Sequence, residues 1–255
     1  MNNVFSFKRF GNFFMYELSH IGSRFTHDML TMGILPLIMA TFSVVLNLIQ
    51  GDALTYSSFE SARSIYTLVL ILIPIIYPAR MYGRLTDKKS GADWMLIPAS
   101  GLEKFISVML INVVVVPGIL LLMLFACDKL LWLIFGDVYG TGWFSLLAEL
   151  PFELILVAVL SLVNTSLTFL LGAICFRKAK VAKTILVLFG LSVLISVVIT
   201  SLLSVDGVQM WAEQMAEGLD VIPYEAINIW LNISIFGCMI LLAGAIYYRL
   251  KTIKF

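Results

Sequence analysis

Six stretches of this chain are each long and apolar enough to cross a bilayer, and that pattern constrains the fold more than any motif does. About 30 Å of hydrocarbon takes about 20 helical residues at a rise of 1.5 Å each. Met29 to Ile49, Ala62 to Met81, Ile106 to Cys127, Leu154 to Phe176, Thr184 to Ser204 and Ile229 to Tyr248 qualify, and none carries Asp, Glu, Lys or Arg in its middle. The expected fold is all-α, a polytopic membrane protein with six transmembrane helices. Composition agrees: 60% of the residues are hydrophobic and 13% charged, against about 45–50% and about 25% in soluble domains. That excludes a soluble globular enzyme, and high hydrophobicity excludes a disordered chain. A charge inside the membrane costs about 2.5–3.5 kcal/mol and marks ion or proton paths, so uncharged midsections argue against a charge-relay pump within this chain. Leu130 to Phe135, followed by Gly136, is too short to cross and is expected at the interface.

The basic residues set the expected orientation. With the N-terminus in the cytoplasm, fifteen of the seventeen Lys and Arg fall on the inner side, and only Arg63 and Lys129 on the outer. The positive-inside rule then places both termini in the cytoplasm. Of the sixteen acidic residues only Glu17, Asp28, Asp87, Asp93 and Glu103 lie inside. A net charge of +1 offers no footprint for nucleic acid. Cys127, Cys175 and Cys238 have no metal-ligand spacing and read as small hydrophobes.

Residues 1–28 lack the apolar core and small-residue cleavage site of a secretory signal. Phe10, Phe13, Phe14, Leu18, Ile21 and Phe25 instead recur at helical spacing, with Lys8, Asn12, Ser19 and Ser23 opposite. The spacing predicts an amphipathic helix lying on the cytoplasmic leaflet, either a plain anchor or a contact for a partner. Residues 80–105 form the longest cytoplasmic loop. In it Asp87 or Ser90 can cap a short helix through Trp94, Met95, Leu96 and Ile97 that Pro98 stops, and Ser100 with Glu103 makes an S-x-x-E capping box opening the third span. Such a helix, ringed by Arg84, Lys88, Lys89 and Glu103, suits a docking element; it suits equally an interfacial helix on lipid with Glu103 only capping.

The string YGRLTDKKSGADWMLIPASGLEKF, in particular Lys89, Gly91, Leu96, Pro98, Ala99, Ser100, Glu103, Lys104 and Phe105, resembles the K-x-G…L-P-A-S-x-x-E-K-F stretch of ABC-2-type transporter permease subunits from Bacteroidetes-like bacteria. The opening FKRF and the order of six spans are similar to that group as well. The resemblance implies that Asp87 to Phe105 is a coupling segment for an ATP-binding cassette subunit, with Asp87, Lys88, Lys89, Trp94, Leu96, Glu103 and Lys104 as its contacts. It implies two such subunits, which bind ATP and Mg, and a second permease copy, identical or related. No G-x-x-x-x-G-K-[ST] phosphate loop occurs in the chain, so it is expected not to be an enzyme by itself and to hold no cofactor.

Other features are weaker. Residues 205–228 are acidic, with Val208, Trp211, Ala212, Met215 and Leu219 on one helical face, and predict an external amphipathic segment that in such permeases caps the substrate route. Arg177, Lys178, Lys180 and Lys183 read as a topology signal touching anionic lipid. Asn164, Thr168 and Gly172 on span four, Ser192, Ser196, Thr200 and Ser204 on span five, and Asn228 with Asn232 on span six make stripes that either pack helices or line a pathway. His20 and His27 form no H-E-x-x-H, and no catalytic or metal motif is present. The whole chain is expected to be one transmembrane domain. The expected function is export of a lipidic or amphipathic substrate driven by a separate motor; a non-transporting immunity or assembly protein is the alternative, and an intramembrane transferase or protease a third.

Overall fold

A computed structural model describes residues 5–86, 91, 94, 96–203 and 224–252. The expected external segment falls mostly outside these residues, as do Asp87, Lys88 and Lys89. Among the described residues the chain is helical without strands, and six helices are long and apolar enough to cross a membrane. It is a multi-pass membrane protein.

Among the described residues eight α-helices follow in order: α1 Phe7–Gln50, α2 Glu60–Tyr82, α3 Gly101–Leu110, α4 Val116–Phe135, the short α5 Trp143–Ala148, α6 Phe152–Cys175, α7 Lys180–Leu203 and α8 Tyr224–Thr252. A π-helical turn over Ile111–Val115 joins α3 to α4, so the third span is one unbroken rod. Pro117 explains the turn. It has no N–H to give the carbonyl four residues back and its ring crowds that carbonyl, and a locally wider helix relieves both. Leu130 to Phe135, expected at the interface, simply continues this helix.

The N-terminal segment belongs to the same helix as the first span. No break separates it from the first span, and α1 runs for 44 residues, about 66 Å at 1.5 Å per residue. It lies alongside the third span rather than apart from it: Arg9 meets Glu103, Gly33 packs on Met123, and Cys127 donates its thiol to the Gly33 carbonyl at 3.2 Å. Its stop is local. Gly51 turns left-handed at φ 75°, which glycine adopts without a Cβ clash, and its N–H caps the last carbonyls.

The start of α1, the end of α2, the starts of α3 and α7 and the ends of α6 and α8 gather at one end of the bundle, here the basic end. Thr86 donates to Phe176 O at 3.3 Å, Lys180 to Gly83 O, and Phe105 meets Tyr247 edge to face at 5.4 Å. Apolar packing fills the length below them. Tyr82, Leu85, Val108, Leu167, Leu170, Ile174, Ile246 and Leu250 pack near the basic end. Tyr66, Ile73, Ile111, Leu120, Leu124 and Trp143 fill the middle, and Ala40, Phe59, Leu131 and Tyr139 the far end. The helix α7 stands apart. It approaches α6 at its start, where Thr184 lies against Gly172, but Ile185, Leu186, Phe189, Val193, Leu194 and Val197 are all exposed.

Candidate functional site

The loop that enters α3 is built around its capping box. Ser100 is extended at φ −70°, ψ 158°; its Oγ accepts from Glu103 N at 3.2 Å, and Glu103 Oε2 accepts from Ser100 N at 2.7 Å. The expected S-x-x-E box is present. The other oxygen of Glu103 reaches across the chain: Oε1 accepts from Ser6 N at 2.8 Å and from Arg9 Nη2 at 3.0 Å. Glu103 is fully buried, and three donors compensate its lost hydration.

Lys104 and Trp94 complete a second link to α1. Lys104 is buried, donates Nζ to Trp94 O at 2.9 Å and sits 4.6 Å above the Trp94 ring. The Trp94 indole donates to Glu17 Oε1 at 2.9 Å, and the Phe13 ring meets the indole at 6.2 Å. Trp94, Glu103 and Lys104 therefore point into the chain's own packing rather than toward a partner. Among the described residues the loop presents Leu96, Pro98, Gly101 and Leu102 outward, with Leu96 81% exposed.

Glu17 is the residue that the sequence reading did not single out. On an amphipathic helix taken to lie on lipid, a lone Glu reads as part of the polar face. Here it is only 6% exposed. Burial pushes its carboxyl up to about 7, against the Trp94 hydrogen bond, the Ser107 hydroxyl and the Lys104 charge, which all pull it down. Tyr82 OH, near Glu17, has no hydrogen-bond partner.

The far end holds a third buried carboxylate, Asp128, which the expected end of the third span at Cys127 left just outside. It accepts from Tyr139 OH at 2.7 Å and from Trp143 N at 2.9 Å. Gly142 passes so close that a Cβ there would stand 2.5 Å from the carboxylate. Arg63, one of the two basic residues of this side, is buried as well. It donates to the carbonyls of Tyr56, at 3.1 Å, and Tyr139, and lies 3.6 Å over the Tyr56 ring. The two charges pin the 136–143 loop under the helix ends.

The polar stripes separate on inspection. Thr168 donates to the carbonyl of Asn164 in its own helix at 2.8 Å, and both are half-buried. Ser192, Ser196 and Thr200 are exposed along α7, and Asn232 is half-buried. One polar contact between spans lies outside the stripes: Asn112, in the π turn, donates to Ser166 Oγ at 2.8 Å, both buried. Among the described residues no three His, Cys, Asp or Glu are placed to hold a metal ion. Comparison of this chain with family models, with curated proteins and with solved structures finds no match.

Proposed function

We propose that this chain is the membrane-spanning permease subunit of an ABC-2-type transporter, energised by a separate ATP-binding subunit that docks on the loop between α2 and α3. The observation that carries this reading is the construction of the loop. Glu103 and Lys104 tie it to α1 through Arg9 and the Trp94–Glu17 bond, while Leu96, Pro98 and Leu102 stay exposed. Where it is described, the handle is apolar on its exposed side and tied to two long helices. Force applied at Leu96 would be passed to α1 and α3 together rather than absorbed by a slack connection.

Two ATP-binding subunits, carrying ATP and Mg, and a second permease copy complete the proposed assembly in a bacterial inner membrane. The exposed length of α7, with Ser192, Ser196 and Thr200 on it, is the surface offered to that second copy. An apolar pathway between copies suits export of a lipidic or amphipathic substrate. The test is affinity capture of the tagged chain in mild detergent. The expected result is co-purification of a nucleotide-binding subunit with ATP hydrolysis, lost in Leu96→Glu at unchanged yield and melting temperature. Capture of partners without any ATPase favours the immunity or assembly alternative.

A further inference from the structure

Hydropathy alone puts the first span at Met29 to Ile49, but the packing of α1 sets another register. Arg9 meets Glu103 and Gly33 meets Cys127, and both pairs are 94 residues apart. Helices that keep one offset at two distant places run side by side in the same direction, level for level. Ala40 follows on, sharing the far cluster with Phe59 and Leu131, and Ser43 Oγ lies 2.8 Å from Ser61 Oγ. The neighbouring helices fix the depth of the membrane. Helix α2 carries no charge between Arg63 and Arg80, and α6 none between Glu153 and Arg177. Tyr82 packs with Val108 at the inner edge of this apolar layer, and Phe59 with Leu131 at the outer. Carried across from the third span at the same offset, the centre of the layer falls on α1 at about residues 25–29, with about 20 residues spanning the hydrocarbon. Phe14, Leu18, Met32 and Leu35 agree, for all four pack on the middle cluster around Ile73, Ile111 and Leu124.

We propose that α1 crosses the membrane with roughly residues 18–38, and that it carries His20, Arg24, His27 and Asp28 to mid-membrane depth, where they line a water-filled cleft. The uncharged midsections expected from hydropathy spoke against any charge path within this chain; in this register the first span holds one. By helical spacing His20, Ser23 and His27, at i, i+3 and i+7, continue into Leu30, Ile34 and Ile38, with Arg24 beside them. Leu30, Ile34 and Ile38 are exposed, so this face is turned away from the side that packs on the middle cluster. Ionisable residues at such a depth do not rest in lipid; they line water or pair inside the protein. On a face that the described core leaves open, water is the medium that meets their charge. On the transporter reading the cleft admits the charged headgroup of an amphiphile, while its depth and its hydration hold without that reading.

The experiment measures the depth of spin labels on the full-length protein in liposomes. Cys127→Ala, Cys175→Ser and Cys238→Ser remove the native thiols. Single cysteines then carry the label at Leu30, Ile34, Ile38 and Val45, exposed positions where a label displaces no packing. Oxygen collides most with labels deep in lipid, and a water-soluble nickel chelate with labels near water. The ratio of oxygen to nickel collisions is expected to be highest at Leu30, to fall through Ile34 and Ile38, and to be several-fold lower at Val45, past the outer edge. A maximum at Ile38, with Val45 deeper than Leu30, is the profile of a first span over 29–49 and overturns the proposal. Ser23→Cys tests the cleft. Ser23 lies about 6 Å from the centre of the layer at 1.5 Å per residue, so in lipid its ratio would match that of Leu30. The expected ratio is several-fold lower, because nickel reaches the label through water; equal ratios at Ser23 and Leu30 overturn the proposal as well. Neither readout uses an ATPase, so failure here and failure of the transporter reading are separate results.

Discussion

Glu103 donates its own amide to the Ser100 hydroxyl and receives three hydrogen bonds on its carboxylate, from Ser100, Ser6 and Arg9, and the two kinds differ in cost of removal. Ser100→Ala deletes only the N-cap oxygen and is expected to lower stability by about 1 kcal/mol. Glu103→Ala removes the acceptor of the Ser6 and Ser100 amides and of Arg9, and is expected to cost about 2–4 kcal/mol. Thermal unfolding in detergent, read by circular dichroism, should rank the two in that order; equal losses would mean that the cap alone matters. Glu17 gives the opposite sign. Its folded pKa is raised, so its favourable contribution is complete below about 4.3 and is lost as pH rises through about 7. Glu17→Gln should therefore be more stable than the unaltered chain at about pH 8, by on the order of 3 kcal/mol at 1.36 kcal/mol per pK unit, and close to it at about pH 5. What was legible at this scale was local. The S-x-x-E box lies within four residues and can be read directly, whereas Ser6, Arg9 and Glu17 meet their partners 97, 94 and 77 residues away, and no spacing rule connects such positions.

The helices obey the same division between local and distant causes. Apolar runs of spanning length located all six membrane helices, because the cost of exposing backbone polar groups to lipid leaves a long apolar segment no other structure. Their ends were less legible. Ser19, Gly22, Ser23, Arg24, His27 and Asp28 break the apolar run before the first span, yet α1 continues through them. Pro36 does not interrupt the helix either. Close approach between elements is invisible in periodicity but tight in space. A Cβ on Gly172 would stand 1.9 Å from Thr184 Oγ1 and 2.9 Å from its Cβ. Gly172→Val is expected to split the α6–α7 hairpin, and limited proteolysis should then cut the 176–180 turn at least about tenfold faster, as a local unit losing roughly 1–3 kcal/mol would. In the same turn Ala179 has φ 49°, a left-handed conformation that favours glycine. Ala179→Gly should leave the cutting rate unchanged or lower it.

On the scale of the whole molecule, α1, α2, the third span, α6 and α8 account for the three apolar clusters, and α7 joins the bundle only near its start. A helix exposed on every side along Ile185 to Val198 gains little in lipid from its apolar residues, because acyl chains solvate Leu and Val as well as protein does; association in a membrane depends on close packing and on polar contacts between helices. Gly190, Ser192, Ser196 and Thr200 supply small and polar groups on α7, and Ser192 at present spends its hydroxyl on its own helix, at Phe189 O, 2.8 Å away. That bond can be kept while a second helix comes close, so the cost of pairing is low. Single cysteines placed from 186 to 197 in the cysteine-free protein are therefore expected to form disulfide-linked dimers in native membranes. The yields should peak about every 3.6 residues, on the face that carries Ser192 and Ser196. Cross-linking that is uniform around the helix would mean random collision. Its absence at every position, with the thiols still reachable by a lipid-soluble reagent, would leave α7 as a lipid-facing helix and remove the second copy from the proposed assembly.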